Sequence, residues 1–162
     1  MKEILIKLIA LYQELLNKMI EAQIKSESDI IFNKASSLLG KEASPRDLVD
    51  DDVACAESLT TILSSLYEDT PIITGTYTLW DFLKGSPHYQ SIWAPQRGCI
   101  ILSPTGTGNG NILGHTGIIG EGGKVMSNNS YTGLWTDHLT LSRWNDRYGR
   151  VGGFPILFFK RK

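Results

Sequence analysis

Gly114-His115-Thr116-Gly117-Ile118-Ile119-Gly120 is a histidine followed by a short apolar and β-branched run between glycines. Threonine and isoleucine favour strands, whereas glycine marks turns and strand ends. Glu121-Gly122-Gly123 follows as a turn, and residues 124–129 have the composition of a second strand. The stretch therefore predicts a β-hairpin that carries an imidazole at its start.

Helical and strand-like segments surround this hairpin in a fixed order. Helical spacing is found over residues 2–24, 29–39 and 53–66, and residues 74–83 begin as a turn and continue as a helix that ends near Gly85. Further strands are predicted at 98–103 and 152–159. Residues 86–95 are predicted to form a loop, and residues 130–148 an irregular or partly helical segment. Helices that precede an antiparallel sheet predict the α+β class. We assign residues 1–28 to an N-terminal helix and linker, and residues 29–162 to one domain.

Composition restricts the class of protein. The chain has 162 residues, a net charge of -1 and 41% hydrophobic residues, as expected for a globular domain. A nucleic-acid-binding protein would carry a basic excess, so we expect no nucleic-acid partner. The basic C-terminal end favours either contact with an anionic polymer or a solvated tail. Two cysteines make a disulfide framework improbable, so we expect reduced thiols.

The N-terminal segment is predicted to form an amphipathic helix. Its broad apolar stripe favours packing on the domain or on a second copy, that is a homodimer, with a membrane-surface or wall-anchoring helix as the alternative. Charges interrupt the apolar run before the ~18 residues of a membrane span, and no cleavage site follows. We therefore expect no transmembrane segment, no secretory signal, and a protein that is cytoplasmic at synthesis.

Cys55 is the candidate nucleophile. It falls in the predicted first turn of a helix, with Asp51 or Asp52 as the N-cap. Free N–H groups and the helix dipole at such a position stabilise a thiolate. The alternative is a buried cysteine that acts as a small apolar residue, which is also the interpretation we favour for Cys99.

A cysteine hydrolase also needs a base and a polar group that orients it. His115 is the candidate base, and the orienting group is expected on the neighbouring strand. Because side chains alternate between the faces of a strand, Ser127 and Asn129 share one face and Asn128 takes the other. We favour Asn129 as the orienting residue, whereas a β-bulge would bring Asn128 into that position.

These motifs resemble those of papain-like cell-wall hydrolases, namely the cysteine/histidine-dependent amidohydrolase/peptidase (CHAP) family and the NlpC-type peptidases. The matching segments are Val53-Ala54-Cys55-Ala56, Arg97-Gly98-Cys99-Ile100-Ile101, Gly114-His115-Thr116-Gly117-Ile118-Ile119 and Met126-Ser127-Asn128-Asn129. The chain departs from the family pattern at the alanines that flank Cys55 and at Cys99, where relatives carry an aspartate.

The resemblance implies a papain-like fold and cleavage of amide bonds in peptidoglycan by Cys55, His115 and Asn129 or Asn128, without a cofactor. A phage lysis or virion protein (an endolysin, for example), or a bacterial enzyme released by other means, is the familiar source of such a chain. The alternatives are an inactive wall- or protein-binding module of the same fold, and a thiol hydrolase that acts on another amide or a thioester.

Zinc binding is disfavoured. Its four potential ligands would be Cys55, Cys99, His115 and His138, but no closely spaced pair anchors a site, so we expect no metal. His88 and His138 are expected at the surface.

Overall fold

A computed structural model of the chain describes residues 2–23, 26–42 and 44–162. The α-helices are α1 Lys2–Gln23, α2 Glu27–Ser36, α3 Cys55–Ser64, α4 Thr76–Gly85 and α5 Leu141–Trp144. The strands are β1 Tyr89–Ile92, β2 Ile100–Ser103, β3 His115–Ile119, β4 Lys124–Asn128, β5 Trp135–Thr140 and β6 Leu157–Arg161. A 3₁₀ turn, Glu121–Gly123, joins β3 to β4, and a π-helix, Asn145–Val151, follows α5. The predicted α+β class is confirmed.

The six strands form one antiparallel sheet in the order β1-β6-β2-β3-β4-β5. The hairpin predicted from the glycine-flanked histidine is present, with Ile118 opposite Met126 across β3 and β4. His115 begins β3 opposite Ser103 of β2. The candidate base therefore lies at the end of a strand that has neighbours on both sides.

Apolar layers cover both faces of this sheet. Leu59, Ile62 and Leu63 of α3 pack in a core with Ile100 and Ile118 on one face. The other face contributes to a second core, which consists of Cys99, Ile101, Ile119, Val125, Leu139, Trp144, Tyr148 and Phe154. Every residue of β2 is buried, as expected for a central strand that is covered on both sides.

Two strands lie where the sequence predicted none. The predicted loop at residues 86–95 contains β1, a four-residue edge strand paired with β6. The predicted irregular segment at 130–148 contains β5, whose pairing with β4 shifts register between Val125 and Ser127. Short edge strands with polar residues lack the apolar alternation that identifies a strand, and the register shift disrupts it further.

Other boundaries also differ from the predictions. Helix α2 begins at Glu27, inside the predicted linker, and ends at Ser36 rather than Leu39. Gly40 has a φ of +78° and donates its N–H to the carbonyl oxygen of Trp135, which turns the chain onto the sheet. Strand β6 begins only at Leu157, five residues after the predicted start at residue 152.

The predicted N-terminal helix is present as α1, but its side chains from Ile4 to Leu16 do not pack on the domain, which was one of the two expectations. All nine of its large apolar side chains between Ile4 and Leu16 are exposed, with exposed fractions of 43–67%. Among the described residues, none of the helices has the length and apolar character that crossing a membrane requires.

Candidate active site

Helix α3 begins at the candidate nucleophile. Its N-cap is Ala54, which makes no side-chain capping hydrogen bond, because residues 51–54 form a turn before the helix starts. The predicted N-cap, Asp51 or Asp52, is therefore wrong by two or three residues. The N-cap residue therefore offers no side-chain acceptor to the first N–H groups of α3, where Cys55 lies.

The Cys55 thiol is buried, with an exposed fraction of 6%. Burial raises its pKa from 9.0 to about 11, whereas hydrogen bonds from the backbone N–H groups of Thr116, Ala56 and Cys55 itself act in the opposite direction. The expected stabilisation of a thiolate is present, but desolvation outweighs it. At neutral pH the thiol is therefore protonated in the free protein.

His115 lies in an aromatic setting. Its ring stacks on Tyr148, with centroids 5.6 Å apart and planes 15° apart, and it also contacts Trp144 at 5.2 Å. Burial, together with the charges of Arg147 and His138, lowers the pKa of His115 from 6.5 to about 3. The imidazole is neutral at pH 7 and makes no hydrogen bond to any of the described residues.

Cys55 and His115 line the same cleft, whose volume is about 620 Å³. The turn before α3, the start of α4, the end of the 104–114 loop and the segment after β4 complete its walls. Its lining is Asp52, Val53, Cys55, Thr74, Gly75, Thr76, Tyr77, Thr105, Ile112, Leu113, Gly114, His115, Asn128, Ser130, His138, Leu139, Arg147 and Tyr148.

The two candidate orienting residues have different surroundings. Asn128 is 2% exposed, lines the cleft, and donates from Nδ2 to the carbonyl oxygen of Asp51 at 2.6 Å. Its Oδ1 is buried and has no hydrogen-bond partner among the described residues. Asn129, the favoured candidate, lies outside the cleft lining, and its Oδ1 accepts the N–H of Tyr131 in a local turn. The register shift within β4 is the feature that we expected to favour Asn128.

Three further cleft residues were not identified from the sequence. His138 is exposed, as predicted, but it also lines the cleft, and its Nδ1 shares a 2.6 Å hydrogen bond with Thr136. Tyr148 and Arg147 reach the cleft from the π-helix. The only sequence signal for Tyr148 and Arg147 was the cluster of aromatic and basic residues after residue 143. That cluster does not indicate that the segment packs beside the cleft.

The other reactive groups lie apart from this cleft. Cys99 is fully buried in the second core, and both cysteines are free thiols. His88 is exposed, as predicted, and its Nε2 lies 3.2 Å from Oδ2 of Asp69. Within the part of the chain that the structure describes, no three His, Cys, Asp or Glu side chains are grouped in a way that suits a metal ion.

The cleft combines a neutral thiol with a neutral imidazole. These two groups can exchange a proton and so produce a thiolate and an imidazolium when a carbonyl group is bound between them. A comparison of the sequence with models of known protein families and with curated proteins gives no match. The resemblance to wall hydrolases therefore stays a prediction from the residues themselves.

Proposed function

We propose that the protein is a cysteine amidohydrolase or endopeptidase of papain-like fold that cleaves amide bonds in peptidoglycan. The observation that carries the proposal is the meeting of Cys55, at the start of a helix, and His115, at the start of a strand, in one cleft of about 620 Å³. A thiol and an imidazole on separate rigid elements are the arrangement that nucleophilic catalysis by cysteine requires.

The reaction begins with transfer of the Cys55 proton to His115 as the substrate carbonyl enters the cleft. The thiolate attacks the carbonyl carbon, and the imidazolium returns the proton to the leaving amine. Water then attacks the thioester with His115 as base, which releases the carboxylic acid and restores the thiol.

The start of α3 supplies donors for the oxyanion. The N–H of Cys55 belongs to the first turn, and Ala54 leaves that turn without a side-chain cap. An uncapped N–H at this position can donate to the oxygen that becomes negative during attack on the carbonyl.

Asn128 is the stronger candidate for orienting His115. It lines the cleft and its buried Oδ1 is unpaired among the described residues, whereas Asn129 already uses its Oδ1 in a turn. Asn128 has a second role through Asp51, because the bond to that carbonyl fixes the turn that leads to Cys55.

The test is clearing of purified cell walls by the wild-type protein beside Cys55→Ala and Cys99→Ala. Both cysteines are buried, so Cys99→Ala is a matched control for the loss of a buried sulfur. We expect clearing that only Cys55→Ala abolishes, and new amine and carboxyl ends in the solubilised fragments. If the Cys55→Ala variant still clears the cell walls, the cysteine mechanism is refuted.

A second candidate is an inactive binding module of the same fold. Two observations favour it: Cys55 and His115 share no hydrogen bond among the described contacts, and burial keeps the thiol protonated. Native-state alkylation separates the candidates. In an active site, iodoacetamide should alkylate Cys55 faster than Cys99, whereas in a closed site both thiols should be protected. Protection of both thiols, together with wall binding without fragment release, would favour the binding module.

The exposed stripe of α1 supports a homodimer. Lysines and glutamates are balanced along this helix, with three of each, whereas helices that bind anionic membranes carry an excess of basic residues. Burial of the stripe between two copies would remove its apolar side chains from water. Sedimentation of the full chain beside a Leu8→Glu, Leu15→Glu variant tests this, and a wild-type monomer at micromolar concentration would refute it.

A further inference from the structure

Arg147 is the permanent cation of the candidate cleft, and it is unpaired. Among the described cleft residues it is the only Lys or Arg, and its guanidinium makes no hydrogen bond or ion pair with any of them or with the rest of the described chain. An acceptor is available in the same π-helix, but Asp146 pairs with Arg150 at 3.2 Å instead. The π-helix therefore supplies an ion-pair partner for Arg150 but none for Arg147, which lies at the cleft.

Arg147 lies beside the aromatic ring that stacks on the candidate base, His115. Its Cζ lies 5.4 Å from the centre of the Tyr148 ring, and that ring stacks on His115. Burial and, after it, the charge of Arg147 lower the pKa values of His115 and His138, whereas at Tyr148 burial raises the pKa and the Arg147 charge only opposes that rise; all three groups line the cleft. An unpaired cation so close to the base opposes protonation of the imidazole, and a bound anion would cancel that effect.

We infer that Arg147 determines specificity by binding a carboxylate of the substrate, so that the preferred substrates are peptides with a free carboxylate next to the scissile amide. This inference rests on the proposed function and names the substrate class of the same cleft. The planar guanidinium offers two parallel N–H donors that match the two oxygens of a carboxylate. The π-helix, an element often found at functional sites, directs this side chain to the cleft.

The neighbouring surfaces of the cleft suit such a peptide. Ile112, Leu113 and Leu139 provide apolar contacts for its side chains. Asp52, the carboxylate in the lining, makes no ion pair with Arg147 and so does not compete for it among the described contacts.

Two synthetic wall peptides test the inference. They share one sequence and differ only in whether the group beside the scissile amide is a free carboxylate or a carboxamide. We expect the wild type to favour the carboxylate peptide in kcat/KM by about 10- to 100-fold, the range of one charge-assisted hydrogen-bond pair. Arg147→Gln should reduce this ratio to near one, and Arg147→Lys should leave an intermediate ratio, because lysine keeps the charge but not the paired donors.

Arg150→Gln is the matched control, because Arg150 is an exposed arginine of the same π-helix and is absent from the cleft lining. It should keep the wild-type ratio. A ratio that Arg147→Gln leaves unchanged would overturn the inference even if both peptides are cleaved.

Binding separates this inference from the failure of the proposed function. If the wild type cleaves neither peptide, calorimetric titration of Cys55→Ala with each peptide measures recognition without turnover. If Cys55→Ala binds the carboxylate peptide more tightly than the carboxamide peptide, and the double variant Cys55→Ala, Arg147→Gln does not, Arg147 recognises the carboxylate in a binding module. Equal binding of the two peptides, or binding of neither, overturns it.

Discussion

The glycine at the centre of the β3–β4 hairpin provides the sharpest test of the fold that holds His115. A Cβ added at Gly117 would lie 2.5 Å from the carbonyl oxygen of Met126 and 2.9 Å from a methyl group of Val125. At Gly120, which ends the same motif, an added Cβ would meet nothing closer than 3.5 Å. Gly117→Ala and Gly120→Ala therefore add the same atom to one motif, with space for it in one case only.

The cost of Gly117→Ala follows from this geometry. Ordinary contact begins near 3.4 Å, so β3 and β4 would have to separate by about 0.9 Å at this point. Neighbouring N–H···O distances of about 2.9 Å would then exceed hydrogen-bonding range. Loss of one or two such bonds at ~1 kcal/mol each, together with overpacking strain of ~1–3 kcal/mol, predicts a destabilisation of about 2–4 kcal/mol.

The assay is urea unfolding followed by the fluorescence of the four tryptophans. We expect Gly117→Ala to lower the unfolding midpoint at an unchanged slope, and Gly120→Ala to range from no effect to a stabilisation of ~1 kcal/mol through the unfolded state. Equal midpoints for the two variants would refute the tight β3–β4 approach, and with it the placement of His115 on this hairpin.

Two further predictions concern the cleft. Asn128→Ala should destabilise the protein by ~1–3 kcal/mol, because it removes the hydrogen bond to the Asp51 carbonyl oxygen, whereas Asn129→Ala should cost less than ~1 kcal/mol. Urea unfolding midpoints compare the two variants. A larger effect at Asn129 would contradict the structural role assigned to Asn128. The pKa of His115 is about 3 in the folded protein and ordinarily 6.5, so the unfolded chain binds more protons between these values and stability must decrease as the pH falls through that window. Unfolding free energies measured from pH 7 to pH 3 should show this decrease, and His115→Gln should flatten it; an equally steep decrease in that variant would assign the effect to other groups.

Much of the fold was predictable because local patterns encode it. The hairpin of β3 and β4, the helix whose first turn contains Cys55 and the helix ending at Gly85 each follow from glycines, β-branched runs or helical spacing. Strands β1 and β5 were missed, since each is stabilised mainly by pairing with a neighbour that is distant or out of regular register. For the same reason, alternation along β4 favoured Asn129, whereas the cleft lining contains Asn128.

The sequence by itself determined the chemical groups of the candidate site and the type of element that carries each one: a thiol at a helix start and an imidazole at a strand start. Only the tertiary structure decided their environment. Burial raises the pKa of Cys55 and lowers that of His115, although the helix terminus alone would favour a thiolate. The structure also brought His138, Tyr148 and Arg147 to the cleft, because packing of the π-helix on the sheet depends on contacts between segments far apart in the chain.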